Sequence, residues 1–382
     1  MRAREHGIDI GVGEPGRLNA ITDVPGVRVG HATIIEGDGP LVIGKGPVRT
    51  GVTVILPHDG QISREPVFAG HHRLNGFGEL TGLSWVRESG LLTTPIAITN
   101  TNSIGTVRDA VVAHEITERG DPDLYIGLPV VGETWDGILN DIRGQHVTPA
   151  HVAAAFDNAH RGVVAEGNVG GGTGMQCYGF KGGCGTSSRT VRMRSGHTYT
   201  VGVLVQANHG ERRHFQVNGV PIGEVIDRQR VPFPRLPEAA AGRHLPGGTG
   251  SVIVVAATDA PLLPHQLDRL AQRAGLGVTK FGAYGENYSG DLMVAFSTAA
   301  RGLPDMGAGE RTHTELPVTM LSLTCIDAVF EAVIECTAEA ILNAMLQAET
   351  MTGRDDLTLH ALDGEVLADV LQSYRRRVFS LA

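Results

Sequence analysis

Short apolar runs recur along the chain, and several are hydrophobic at both odd and even positions. They span residues 27–33, 52–56, 96–99, 124–131, 201–208, 251–257 and 292–297. Each is rich in Val and Ile and bounded by Gly, Pro, Asn or Asp, which predicts strands. A strand that is apolar on both sides must be covered on both faces. Helical patterns alternate with these runs, at 79–89, 106–119, 264–274, 326–348 and 365–378, with a further start at Thr148–Pro149. In the longest, Ile326, Val329, Phe330, Val333, Ile334, Ala340, Ile341, Ala344 and Met345 repeat on one wide face. Cys325 and Cys336, eleven apart, are expected as core residues of that face. Gly275 is expected to stop the helix that begins at Pro264. Covered strands alternating with helices, without an internal repeat, predict a layered α/β fold.

The length of 382 residues allows one large or two medium domains. Apolar residues make up 41% and charged residues 19%, a globular composition. The net charge of −9 and the lack of a basic tract argue against nucleic-acid binding. No window approaches the roughly 18 consecutive apolar residues of a membrane span. The start, MRAREHGIDIGVGEPG, lacks the apolar core of a signal peptide. Four cysteines are too few for a disulfide framework, so a cytoplasmic location is expected.

One segment breaks the alternation. Residues 227–250 read DRQRVPFPRLPEAAAGRHLPGGTG, with four prolines and a closing glycine cluster, and predict an exposed, flexible linker. The strongly apolar SVIVVAATDA follows at once. A serine hydroxyl at that boundary can attack the carbonyl before it, and glycine permits backbone geometries closed to other residues. Hydrolysis of the resulting ester would leave Ser251 as a new N-terminus, with an α-amine titrating near 7.7–8.0. Such an amine can serve as general base for its own hydroxyl. Taken alone, the junction more often marks a serine that merely opens a core strand.

The surrounding blocks sharpen the reading. They include NAITDVPGVRVGHAT (19–33), GVTVILP (51–57), NGFGELTGLSWVRESGLLTTPIAITNTNSIG (75–105) and GLPVVGETWDGILND (127–141). EGNVGGGTGMQCYGFKGGCGTSSR (166–189), VGVLVQANHG (201–210), GGTGSVIVVAATDAPL (247–262) and YSGDLMVAFST (288–298) follow. In these stretches the chain resembles the N-terminal-serine aminopeptidases, the family of L-aminopeptidase/D-esterase-amidases and β-peptidyl aminopeptidases. The resemblance implies a four-layer αββα sandwich, like the N-terminal-nucleophile (Ntn) hydrolases but differently connected. It implies one domain over 1–382 that cuts itself between Gly250 and Ser251 into chains 1–250 and 251–382, which stay together. Tetramers or larger rings of such pairs are implied as the assembly, with short peptides, amides or esters as substrates.

Roles follow by the same resemblance. Ser251 corresponds to the nucleophile. Asn208 donates to the oxyanion, although an Asn-x-Gly turn would account for it by itself. Ser289 and Asp291, two apart and so on one side of an extended segment, orient the nucleophile and its amine; the family has either Glu or Asp at the second place. Glu133 receives the substrate ammonium, and Trp135 lines the pocket or fills core. The glycine run 167–174 lacks a P-loop ending, so backbone crowding near the site is expected. Adjacent His71 and His72 would point apart, Cys177 and Cys184 lack zinc-ligand spacing, and no HExxH occurs, so neither metal nor cofactor is expected. Two alternatives remain open: an acyltransferase of the ornithine-acetyltransferase type, and a scaffold that never cleaves.

Overall fold

The apolar runs on both parities are explained by two stacked sheets, each with helices on its far side. The computed structural model describes residues 1–120, 126–227, 229–234, 250–303 and 315–379. One sheet contains β1 (Arg28–Glu36), β2 (Val48–Leu56), β5 (Ile96–Asn100) and β6 (Val130–Thr134), in that order. The other has the order β4-β3-β12-β11-β10-β9. Its strands are β3 (Val67–Gly76), β4 (Leu91–Leu92), β9 (Gly183–Arg192), β10 (Thr198–Asn208), β11 (Gly250–Thr258) and β12 (Ser289–Ser297). Small hairpins pair β7 (Gln176–Cys177) with β8 (Phe180–Lys181), and β13 (Met351–Thr352) with β14 (Thr358–Leu359).

Two parallel pairs dictate where the helices go, because a parallel connection needs a crossover. Between β5 and β6 the chain forms α2 (Ile104–Arg119), and between β11 and β12 it forms α5 (Pro264–Thr279). The other helices are α1 (Leu83–Ser89), α3 (Pro149–Asp157), α4 (Ile222–Val225), α6 (Asp327–Leu346) and α7 (Gly364–Phe379).

Alternation along the strands then divides the apolar residues among three large cores. Ile55, Ile96 and Val130 meet Leu204, Ile253, Val255 and Leu292 between the sheets. Val52, Val54, Ala97 and Val131 turn outward onto Val107 and Val111 of α2 and Val152 of α3. Val203, Val205, Val252, Val254 and Met293 turn outward onto Leu267 and Leu270 of α5 and Val333 and Ile341 of α6. Each fully buried aliphatic side chain contributes about 1.5–3 kcal/mol. The layers run α-β-β-α, as expected. No helix among the described residues is long and apolar enough to cross a membrane.

Several boundaries differ from the sequence reading. The sixth strand begins at Val130 rather than 124, and residues 121–125 lie outside the described ones. The first helix starts at Leu83, after Gly82 with φ +72°. α5 passes through Gly275 and ends at Thr279. Gly277 allows the close approach of α6: a Cβ there would lie 2.5 Å from Thr337 Cβ. α6 begins at Asp327, which leaves Cys325 exposed in the preceding turn while Cys336 is buried. The shared-face argument for the two cysteines therefore fails. Most of the expected 227–250 linker lies outside the described residues.

Ion pairs buried beneath α6 join residues before position 250 to residues after it. Arg189 donates from Nε to Glu335 at 2.8 Å and from Nη2 to Glu339 at 2.7 Å. The Val12 and Gly13 amides also donate to Glu335, at 2.8 and 3.0 Å. Arg189→Met would leave Glu335 with the two backbone amides alone, while Glu339 keeps Arg4, whose Nε donates to it at 3.1 Å, and Asn19. A loss of about 3–5 kcal/mol is expected, measured as a lower denaturant midpoint at unchanged m value. An unchanged midpoint would contradict this.

Candidate functional site

Strand register brings the candidate residues together at one end of the six-stranded sheet. Asn208, the last residue of β10, pairs with Ser251 across the antiparallel β10–β11 ladder. Ser251 pairs in turn with Gly290 on β12. Asn208, Ser251 and the Ser289-Gly290-Asp291 tripeptide thus occupy neighbouring positions on three strands. All four site side chains in this row are buried. Ser251 is in phase with Ile253 and Val255, so its hydroxyl faces the space between the sheets.

The Asn208 amide is held at both ends. Its Oδ1 accepts the Gln176 amide N–H at 2.9 Å, and its Nδ2 donates to the Trp135 carbonyl at 3.0 Å. A backbone donor on one side and a backbone acceptor on the other permit only one flip of the amide. In that orientation Nδ2 lies 3.5 Å from Ser251 Oγ. The amide can therefore donate to negative charge that develops beside the serine oxygen.

Gly250 is needed for space. It is absent from the residues with positive φ. A Cβ at 250 would lie 2.8 Å from both the Asn208 carbonyl oxygen and His209 Cα. This replaces the expected conformational reason with a steric one. Both neighbours are backbone atoms and cannot swing aside.

Ser289 donates to Asp291 Oδ1 at 2.7 Å, as spacing on one side of a strand allows. Asp291 is level with Val252 on the neighbouring strand, one residue beyond Ser251. Burial pushes its pKa up to about 6, the Ser289 bond opposes this, and the Glu286 charge adds to it. Among the described residues, the Ser251 side chain bonds Asn208 and neither Ser289 nor Asp291.

Glu133 reaches this end from the other sheet. Its Oε1 accepts the Glu79 amide at 2.9 Å, and its Oε2 accepts the Thr101 hydroxyl. Burial raises its pKa, and these bonds oppose the rise. A Cβ on Gly78 would lie 3.0 Å from Gly290 Cα and 3.1 Å from Glu133 Oε1, so a side chain there would crowd the carboxylate against β12. Trp135 contributes its backbone as well as its side chain. Its carbonyl holds Asn208, while its half-buried indole packs with Ile138 and Leu139 and lies against Gly137.

The glycine run is crowded, as expected. Gly170–Gly172 form a buried turn in which a Cβ on Gly172 would lie 2.3 Å from the Cys184 amide nitrogen. Adjacent His71 and His72 pair with Val294 and Met293, which face opposite sides of the sheet, so the two rings point apart as expected, and both residues border one surface cavity of about 300 Å³ at the sheet edge.

Sequence reasoning missed Glu79, Thr101 and Gln176 as partners of the site, since each acts through long-range contacts. It also missed Lys181, one of only three lysines in the chain and completely buried. Burial brings the Lys181 pKa down to about 7. His209 is held neutral, its pKa lowered by burial to about 4.

The model of peptidase family S58 matches residues 19–359. The beta-peptidyl aminopeptidase BapA of Sphingosinicella microcystinivorans is 48% identical over 98% of this chain and 93% of its own. The solved beta-aminopeptidase of Burkholderia sp. is similar at 48% identity and a TM-score of 0.86, covering 98% of this chain and 99% of that one. The L-aminopeptidase D-Ala-esterase/amidase of Ochrobactrum anthropi is 44% identical with a TM-score of 0.87 and the same coverage. That enzyme is described as a prototype of the serine aminopeptidases and a new variant among the Ntn hydrolase folds.

Proposed function

The chain belongs to peptidase family S58 and is a hydrolase, an aminopeptidase, and from that premise we propose that it cuts itself before Ser251 and then acts through that residue. Ser251 Oγ attacks the Gly250 carbonyl, and the peptide bond shifts to an ester. Water hydrolyses the ester, leaving a carboxylate on Gly250 and a free α-amine on Ser251. In turnover this amine takes the hydroxyl proton as Oγ attacks the first carbonyl of a short peptide, amide or ester. Asn208 Nδ2 donates to the oxyanion. The departing amine or alcohol receives the proton, and water then releases the acyl group from Ser251.

The observation that carries this reading is the locked Asn208 amide, with Nδ2 beside Ser251 Oγ at the first serine of a core strand. Glu133 is the receptor for the substrate ammonium, and Trp135 borders that place. The test compares free and N-acetylated aminoacyl p-nitroanilides. Turnover is expected only with the free amine. Glu133→Gln should raise KM for it by about tenfold or more, the weight of one charge-assisted hydrogen bond. Equal rates on both substrates by the native enzyme would refute the Glu133 role.

Before the cut there is no α-amine, so the base for processing is assigned to Asp291, which lies on the neighbouring strand with its side chain on the face opposite the Ser251 hydroxyl and takes the proton through water at the end of the sheet. Asp291, raised to about 6, must be ionised to accept a proton. Processing should therefore slow as pH falls through about 6, followed as loss of the 382-residue band over time. Asp291→Asn should process slowly at every pH and lose that inflection. An Asp291→Asn profile that keeps it would assign the inflection to another group. Exposed Phe77, Tyr284 and Tyr288 offer apolar surface near Ser289, and this supports assembly of processed pairs into a homo-oligomer.

A further inference from the structure

We propose that Lys181 is a positioning residue for the Asn208 amide, acting through the peptide plane between Met175 and Gln176. The role rests on Asn208 serving the oxyanion. Lys181 lies directly opposite Gln176 in the β7–β8 hairpin. Its Nζ donates to the Met175 carbonyl at 2.9 Å, to Gly182 at 2.8 Å and to Gly172 at 3.4 Å. The Met175 carbonyl and the Gln176 N–H are opposite ends of one planar peptide unit. The lysine holds one end, and the other donates to Asn208 Oδ1 at 2.9 Å.

Two consequences follow. The peptide cannot rotate without breaking the lysine contact, so the direction of the Gln176 N–H is fixed. Hydrogen bonds in series also polarise one another, by about 10–30% per bond. A donor on the Met175 carbonyl strengthens the Gln176 N–H, which in turn makes Asn208 Nδ2 a better donor towards Ser251. The Gly182 amide also donates to the Met175 carbonyl, at 2.9 Å. Loss of the lysine therefore loosens this peptide without freeing it.

The test is a double-mutant cycle of Lys181→Met and Asn208→Ala, with kcat and KM measured per processed chain on an aminoacyl p-nitroanilide. Lys181→Met should lower kcat by about tenfold or more, as misplacement of a catalytic group does, with KM within about twofold. In the Asn208→Ala background it should cost nothing further. Native kcat in Lys181→Met beside a slow Asn208→Ala would overturn the lysine role alone, as would losses that multiply in the double variant. Native kcat in Asn208→Ala would instead overturn the oxyanion reading. If Lys181→Met shows no cooperative melt, Lys181→Gln, which keeps a single neutral donor, should lose a smaller part of kcat, and a loss of the same factor in the native and Asn208→Ala backgrounds would overturn the lysine role.

Discussion

Ser251→Ala should remain one uncut chain of 382 residues and show no turnover. Both reactions use the same oxygen, so one substitution removes both. Loss of a serine nucleophile from a catalytic unit costs about 10⁶-fold in kcat, and at least ~10⁴-fold is expected here. The fold should survive, because the substitution deletes one hydroxyl at the edge of a packed row. Unchanged thermal melting would separate lost chemistry from lost structure. Processing or turnover retained by this variant would exclude Ser251 as nucleophile.

Asn208→Ala should fold, process slowly and turn over slowly. Removing one oxyanion donor costs about 10²–10³ in kcat, or roughly 2.7–4 kcal/mol. The loss belongs to the transition state, so KM should change little. Gln176 N–H and the Trp135 carbonyl would each lose their Asn208 partner. A stability loss of about 1–3 kcal/mol should therefore accompany the kinetic effect. A kcat within about twofold of native would contradict the oxyanion role.

The parts legible in the sequence are those governed by local periodicity. Ile253 and Val255 alternate with Val252 and Val254, and that pattern alone predicts a strand covered on both faces. The wide face of α6 was legible for the same reason. β3 and β9 were not, because VFAGHHRLNG and GCGTSSRTVR carry polar residues and glycines where a strand reading expects Val and Ile. Their burial comes from neighbours distant in sequence. Gly275 reads as a helix stop, yet the helix runs on to Thr279, and Gly277 within it serves close packing against Thr337.

The same division runs through the site. Ser251, Asn208, Ser289, Asp291 and Glu133 came from motif resemblance, and the fold brings them to one end of the sheets. The partners that aim them were invisible locally. Gln176 is 32 residues from Asn208, and Glu79 is 54 residues from Glu133. Only the sheet register and the hairpin bring those backbone donors to their acceptors.

The central claim is that the working enzyme begins its second chain with its own nucleophile. Intact mass and N-terminal sequencing of protein that turns over a p-nitroanilide test this most directly. Two chains are predicted, 1–250 and 251–382, the second opening Ser-Val-Ile-Val. Full turnover by a preparation containing only the 382-residue chain would contradict the account.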